Sequence, residues 1–211
     1  LQDDRGPEMF NACSSLIISI IPLCHKMVDK TYFKKVRYML ILNGGFSFYY
    51  HYSLSWLGKH LDEGTMLLAN YYIMSEFIQY YDDRANTLLN IQNTCMLPVI
   101  LAVNTIPSMD PYFSYIFALY CMPTLIMMMD YAKKYDSIGD LMIYGSVSSI
   151  GVISWLISEN MCNEYTTYGH ILWHLCFPLG IYRILLMFDE KLPVKMVESN
   201  DHEDNHIMLS S

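Results

Sequence analysis

Three histidines of this sequence stand inside segments that are otherwise strongly apolar. His170 and His174 are four residues apart, so a helix would present both imidazoles on one face. His51 stands in a separate apolar segment that belongs to a different predicted helix. Zinc in catalytic sites commonly takes three protein ligands and leaves a fourth position open. The three histidines therefore predict a zinc site shared between two helices.

Two further polar side chains near His51 are suited to hydrolysis. Ser47 precedes His51 by four residues and would share its helical face. Asp62 follows His51 by eleven residues, or about 16 Å along an unbroken helix, which is too far to serve the same metal. We expect the chain to turn back around Gly58, because glycine adopts backbone angles that other residues avoid. Asp62 would then head the next helix and accept a proton from an attacking water.

Each of these residues also has a purely structural interpretation. A single membrane histidine more often forms a packing hydrogen bond than a metal bond, and Ser47 would bond back to its own helix. Asp62 would also favour a helix amino terminus. His202 and His206 match the H-E-x-x-H zinc pattern, but they lie in a charged tail without an apolar helix, and we attribute the match to chance. Only the combination of residues favours a catalytic site.

The composition predicts an all-α integral membrane protein. Hydrophobic residues make up 53% of the 211 positions and charged residues only 16%, below the usual share of about a quarter. A membrane-spanning helix needs roughly 20 mostly apolar residues. The sequence offers seven such segments, at 8–24, 36–57, 65–81, 88–106, 112–131, 138–158 and 168–188.

The charges between these segments predict how the bundle is oriented. Basic residues near helix ends favour the cytoplasmic side, and one set of connections holds Lys26, Lys30, Lys34, Lys35, Arg37, Arg84, Lys133 and Lys134. The opposite set holds only Arg5 and Lys59. This pattern predicts a seven-transmembrane helix bundle with a lumenal amino terminus and a cytosolic carboxyl terminus.

The chain has room for one domain. Residues 1–190 would form it, and the charged, aperiodic residues 191–211 would be a disordered cytosolic tail. Because the chain starts at Leu1, we expect a further amino-terminal piece to precede it. The net charge of −8 argues against a nucleic-acid partner, which would need a basic face. No protein partner can be inferred.

Three polar blocks, taken in order, resemble the alkaline ceramidase family. They are Gly45-Phe46-Ser47 through His51, Leu61-Asp62-Glu63 with Met66 after it, and His170-Ile-Leu-Trp-His174. The wider superfamily includes the adiponectin receptors and the Per1-like lipases. The resemblance implies seven membrane helices in the endoplasmic reticulum or Golgi. It also implies hydrolysis of ceramide to a sphingoid base and a fatty acid.

The same resemblance implies a role for each site residue. His51, His170 and His174 would hold the zinc ion. Asp62 would orient or deprotonate the attacking water, while Ser47 would steady the oxyanion formed at the amide carbon.

The chain also departs from the family pattern. Family members carry an acidic loop before the first span that contributes to a calcium site, and only Glu8 aligns with one of its ligands. Calcium is therefore implied as a second cofactor through Glu8 alone. Two alternatives to a ceramidase remain open: a related hydrolase acting on another lipid amide or ester, and a receptor-like membrane protein with a structural metal.

Overall fold

The computed structural model describes residues 8–24, 33–79, 84–161 and 167–192. This part of the chain is helical, which confirms the all-α prediction. The helices are α1 (Met9–Cys24), α2 (Lys34–Ser53), α3 (Trp56–Ile78), α4 (Ala85–Thr105), a 3₁₀ segment (Pro107–Tyr112), α5 (Phe113–Lys134), α6 (Ile138–Asn160) and α7 (Thr167–Lys191). The H-E-x-x-H match and residues 193–211 of the predicted tail lie outside the described residues. The first two residues of that predicted tail are described: Lys191 ends α7 and Leu192 is buried.

Four stretches of this structure are long and apolar enough to cross a membrane. They are Ala85–Thr105, Pro107–Lys134, Ile138–Asn160 and Tyr168–Lys191. Large apolar side chains also point outward from these helices, and Leu119 exposes 73% of its surface. A protein surface of this kind is typical of contact with lipid. The helices therefore support a membrane protein, while the count of seven spans stays a prediction.

Helices that follow one another in the chain run antiparallel. The backbone N–H of Glu8, just before α1, donates to the carbonyl of His51 near the end of α2 at 2.9 Å. Glu159 near the end of α6 faces His170 near the start of α7, and at the opposite end Lys191 pairs with Asp140. The starts of α1, α3 and α7 therefore lie together, and we refer to this end of the bundle as the site end.

Two apolar clusters hold the helices in place. The cluster at the opposite end joins six helices, through residues that include Phe33, Val36, Phe77, Tyr131, Leu185 and Phe188. The other apolar cluster packs beside the site end, with Leu67, Phe113, Phe117, Trp155 and Trp173 among its members. The Trp155 and Trp173 rings lie 4.9 Å apart and join α6 to α7. Buried aromatic pairs of this kind make a rigid support for the polar groups above them.

The turn between α2 and α3 lies at Leu54 and Ser55, so the predicted turn at Gly58 is wrong. Leu54 adopts the left-handed conformation (φ 48°) and its N–H bonds the carbonyl of Tyr50, which closes α2. The Ser55 hydroxyl accepts a hydrogen bond from the N–H of Gly58 and caps α3. Gly58 instead permits close packing, because a Cβ there would lie 2.9 Å from the Cα of Tyr50.

This turn changes the predicted helix boundaries on both sides. The predicted segment 36–57 extends beyond the end of α2, and the predicted segment 65–81 leaves out the first nine residues of α3. Asp62 accordingly lies in the second turn of α3 and does not head it. The antiparallel packing of α3 against α2 still brings Asp62 beside Asn43.

Candidate metal centre

Three histidines converge at the site end. His51 comes from the last turn of α2, and His170 and His174 come from the first two turns of α7. The imidazole centroids are 4.8 Å apart for His51 and His170, 5.3 Å for His51 and His174, and 4.7 Å for His170 and His174. One ring nitrogen from each lies within 4.8 Å of the others. The structure thus brings together the three residues predicted to bind zinc.

The start of α7 is held against α6 by a glycine. A Cβ at Gly169 would overlap the backbone carbonyl of Ser154, so only glycine allows the two helices to approach this closely. This approach places His170 next to Glu159 near the end of α6. Gly169 therefore helps to set the position of the histidine that follows it.

His51 is held by Glu8. The Nδ1 atom of His51 lies 2.9 Å from Oε2 of Glu8, and that oxygen also accepts from the side chain of Asn11. A glutamate carboxyl is ionised at neutral pH, and the hydrogen bond donated by the Asn11 amide favours that form. A carboxylate only accepts, so Nδ1 of His51 carries the proton. Its Nε2 then bears the lone pair, and this atom is buried without a hydrogen-bond partner among the described residues.

His174 is held by Ser14 in the same tautomer. The Ser14 hydroxyl lies 2.8 Å from Nδ1 of His174 and 3.0 Å from the backbone carbonyl of Asn11. A carbonyl oxygen only accepts, and a hydroxyl has one proton to give. Both contacts form together when Ser14 donates to Asn11 and accepts from Nδ1 of His174. The lone pair of His174 is then on Nε2.

His170 has the third partner. Its Nδ1 atom lies 3.5 Å from Oε1 of Glu159, at the outer limit of a hydrogen bond. All three imidazoles therefore have an oxygen at Nδ1, supplied by α6, by α1 or by the residue that precedes α1. Metal-binding histidines in proteins show the same arrangement, because a partner at one ring nitrogen orients the ring and makes the other nitrogen a stronger ligand.

The residues present fit a bound metal ion. Three neutral imidazoles match a zinc ligand set with an open position, and the nearby carboxylates of Glu8 and Glu159 offset the charge of a dication. A buried ring nitrogen without a partner, as at Nε2 of His51, costs about 1–3 kcal/mol. A metal ion would remove this cost. Water alone would need further polar partners to do so.

Asp62 is anchored on the same side of the bundle by residues of α2. The Asn43 side chain donates to Oδ1 of Asp62 at 2.8 Å and to its backbone carbonyl at 3.0 Å. Asn43 also contacts the hydroxyl of Thr65 at 2.9 Å. Ser47 hydrogen-bonds the Asp62 carboxylate as well, and His170 lies within electrostatic range of it. Asp62 is therefore a carboxylate held in one orientation near the histidines.

The structure leaves some predicted roles as predictions. Glu8 contacts His51, and a calcium site at Glu8 is not tested, because the residues before it lie outside the described ranges. Ser47 contacts Asp62, and its oxyanion role stays a prediction.

Three residues around the site had no predicted role: Asn43, Ser14 and Glu159. Asn43 had a detectable signal, because it precedes Ser47 and His51 by four and eight residues on one face of an apolar helix.

Comparison with known proteins identifies a family. The sequence profile of the ceramidase family matches residues 6–207. Among similar proteins are an alkaline ceramidase of Caenorhabditis briggsae and one of Caenorhabditis elegans. Each is 24% identical over 200 residues, which cover 86% of this chain and 73% of the relative.

Proposed function

The chain belongs to the ceramidase family of hydrolases, and on this premise we propose that it cleaves the amide bond of ceramide with the help of a zinc ion. The products are a sphingoid base and a free fatty acid. The observation that carries the proposal is the convergence of His51, His170 and His174, each with an oxygen at Nδ1. The alkaline ceramidases of the two nematodes support ceramide as the substrate.

Each residue has a specific task in this reaction. His51, His170 and His174 would hold zinc, which would supply Lewis-acid activation of a water near neutral pH. Asp62 takes the proton of the water that attacks the amide carbon. The carbonyl oxygen gains negative charge, and the Ser47 hydroxyl donates to it. The C–N bond then breaks, and the proton from Asp62 passes to the leaving nitrogen, which leaves as the amine of the sphingoid base.

Asn43 acts through Asp62. Its side-chain amide donates a hydrogen bond to one carboxylate oxygen of Asp62, and Ser47 hydrogen-bonds the same carboxylate. During the reaction Ser47 would exchange this contact for one with the substrate, while Asn43 keeps Asp62 oriented. Holding a base in position in this way contributes to the rate because the reacting geometry is set before the substrate arrives.

We also place this reaction in a membrane of the endoplasmic reticulum or Golgi, with all seven helices spanning it. The site end would face the lumen, because Lys59 is the one basic residue at the start of α3, while Lys34, Lys35 and Arg37 lie at the start of α2. The position of the histidines in the outermost turns of α2 and α7 suits a lipid whose amide lies near the membrane surface.

A lipid-specific assay tests the proposal. Membranes containing the full chain would be incubated with ceramide labelled in its acyl chain and, separately, with an acyl-labelled phospholipid. We expect fatty acid to be released from ceramide and not from phospholipid. His170→Ala should abolish release, while Asp140→Asn, at an exposed ion pair far from the site, should leave it unchanged.

The same assay identifies the outcomes that would contradict the proposal. Preferential release from phospholipid would show a related hydrolase with another substrate. Release from neither lipid by a folded protein that contains zinc would instead favour a structural metal.

A further inference from the structure

A second group of potential ligands lies at the site end. His60 and Glu63 are three residues apart on α3 and share a face, and Asp110 faces them from the 3₁₀ segment that follows α4. One ligand atom from each lies within 4.8 Å of the others. We refer to these three residues as the second cluster.

The second cluster contains buried polar atoms that lack hydrogen bonds. Both ring nitrogens of His60 are buried without a partner in the described part of the chain, and His60 is only 6% exposed. The same is true of Oε2 of Glu63 and Oδ1 of Asp110. A neutral imidazole always has one donor and one acceptor nitrogen, so a packing role alone leaves both unsatisfied.

Lys59 pairs with one oxygen of each of the two carboxylates. Its ammonium lies 3.1 Å from Oδ2 of Asp110 and 3.8 Å from Oε1 of Glu63. The atoms that lack partners are Oδ1 of Asp110 and Oε2 of Glu63, the opposite oxygen in each case. Lys59 therefore orients both carboxylates and leaves one oxygen of each available, together with His60.

From this arrangement we propose that His60, Glu63 and Asp110 bind a second divalent metal ion of the zinc class. One imidazole nitrogen and two carboxylate oxygens form a donor set that zinc accepts. Calcium prefers six to eight oxygen ligands and would not use the imidazole. The site is independent of the proposed hydrolysis, because none of its ligands belongs to the three-histidine centre.

This metal ion would join two parts of the fold that share few other contacts. No residue of the 3₁₀ segment Pro107–Tyr112 is fully buried, and the ion pair from Lys59 to Asp110 ties the segment to α3. A metal ion shared by α3 and Asp110 would hold the connection between α4 and α5 in place. Its role would therefore be structural.

Zinc counting on the purified full chain tests the proposal. The measurements use a background in which His202 and His206 are alanine, since that pair has a spacing that binds zinc adventitiously. In this background we expect two equivalents of zinc. His174→Ala and His60→Ala should each retain one equivalent, and the double variant none. Because no substrate is used, the result for the second cluster does not depend on the ceramidase assay.

Two controls keep the test decisive. Asp140→Asn removes a carboxylate from an exposed ion pair and should leave two equivalents. If His60→Ala fails to fold, Asp110→Asn supplies a milder variant, which should also lose one equivalent. In the His174→Ala protein, added zinc should raise the melting temperature by binding the second cluster. Adding Asp110→Asn to that protein should remove this rise.

Other outcomes would overturn the proposal. A single equivalent in the parent protein that His60→Ala retains and His174→Ala loses would do so, as would two equivalents in both His60→Ala and Asp110→Asn. Lys59→Met provides the last distinction. If a second zinc binds only after this substitution, the lysine ammonium is the resident cation and the natural chain has no second metal.

Discussion

Replacing Asn43 with leucine should slow ceramide hydrolysis and leave the zinc content unchanged. Asn43 is not one of the proposed metal ligands. Its side-chain amide donates a hydrogen bond to Oδ1 of Asp62 at 2.8 Å. Leucine has a similar size but cannot donate. Asp62 would then lose the contact that holds it in position to take a proton.

The size of the effect follows from this hydrogen bond. A hydrogen bond to a charged group contributes about 1.5–3 kcal/mol. Since about 1.4 kcal/mol corresponds to a factor of ten in rate, loss of the Asn43 contact should lower kcat by about 10–150-fold. The KM for ceramide should stay close to that of the parent protein, because Asn43 is not proposed to touch the substrate.

The matched control is Asn70→Leu. Asn70 is also a buried asparagine, and its amide donates to the backbone carbonyl of Tyr120 at 3.1 Å in a different part of the bundle. Both variants should lose stability, but only Asn43→Leu should lose kcat. Equal kcat values for the two variants, with intact zinc content, would refute the positioning role of Asn43.

Three further predictions concern the base, the metal and the packing. Asp62→Asn should lower turnover by orders of magnitude and retain zinc, as metal analysis would show; normal turnover would exclude Asp62 as the base. Ser14→Ala removes the acceptor at Nδ1 of His174 and should weaken zinc binding about 10–100-fold in a competition titration with a chelator. Gly169→Ala should destabilise the fold by about 1–3 kcal/mol, while Gly145→Ala, where a Cβ meets open space, should not lower the melting temperature.

The convergence of the three histidines could be predicted from the sequence because their signals are local. His170 and His174 are four residues apart, and any helix places such a pair on one face. His51 was notable because an imidazole is rare in an apolar segment. These patterns predicted which side chains would meet, although only the structure shows that α2 and α7 are close enough.

The partners of the histidines could not be predicted, because they depend on packing between distant parts of the chain. Ser14 and His174 are separated by 160 residues and meet only when α1 lies against α7. Glu8 reaches His51 from the segment that precedes α1. Neither contact has a repeating spacing that a sequence pattern could reveal.

The turn at Leu54 was missed for a different reason. Glycine is the usual residue in a left-handed helix cap, so Gly58 was the natural choice for the turn. The chain instead places Leu54 there, at φ 48°, and follows it with the serine cap at residue 55. That serine was a valid helix-start signal, and giving it more weight than the glycine would have placed the turn correctly.

The central claim is that zinc held by His51, His170 and His174 supports ceramide hydrolysis. The most direct measurement is fatty acid release from labelled ceramide by protein stripped of metal and then refilled with zinc. We expect stripping to abolish release, zinc to restore it in the parent protein, and zinc to fail to restore it in His174→Ala. Full activity in the stripped protein, or restoration of activity in His174→Ala, would contradict a catalytic zinc at these histidines.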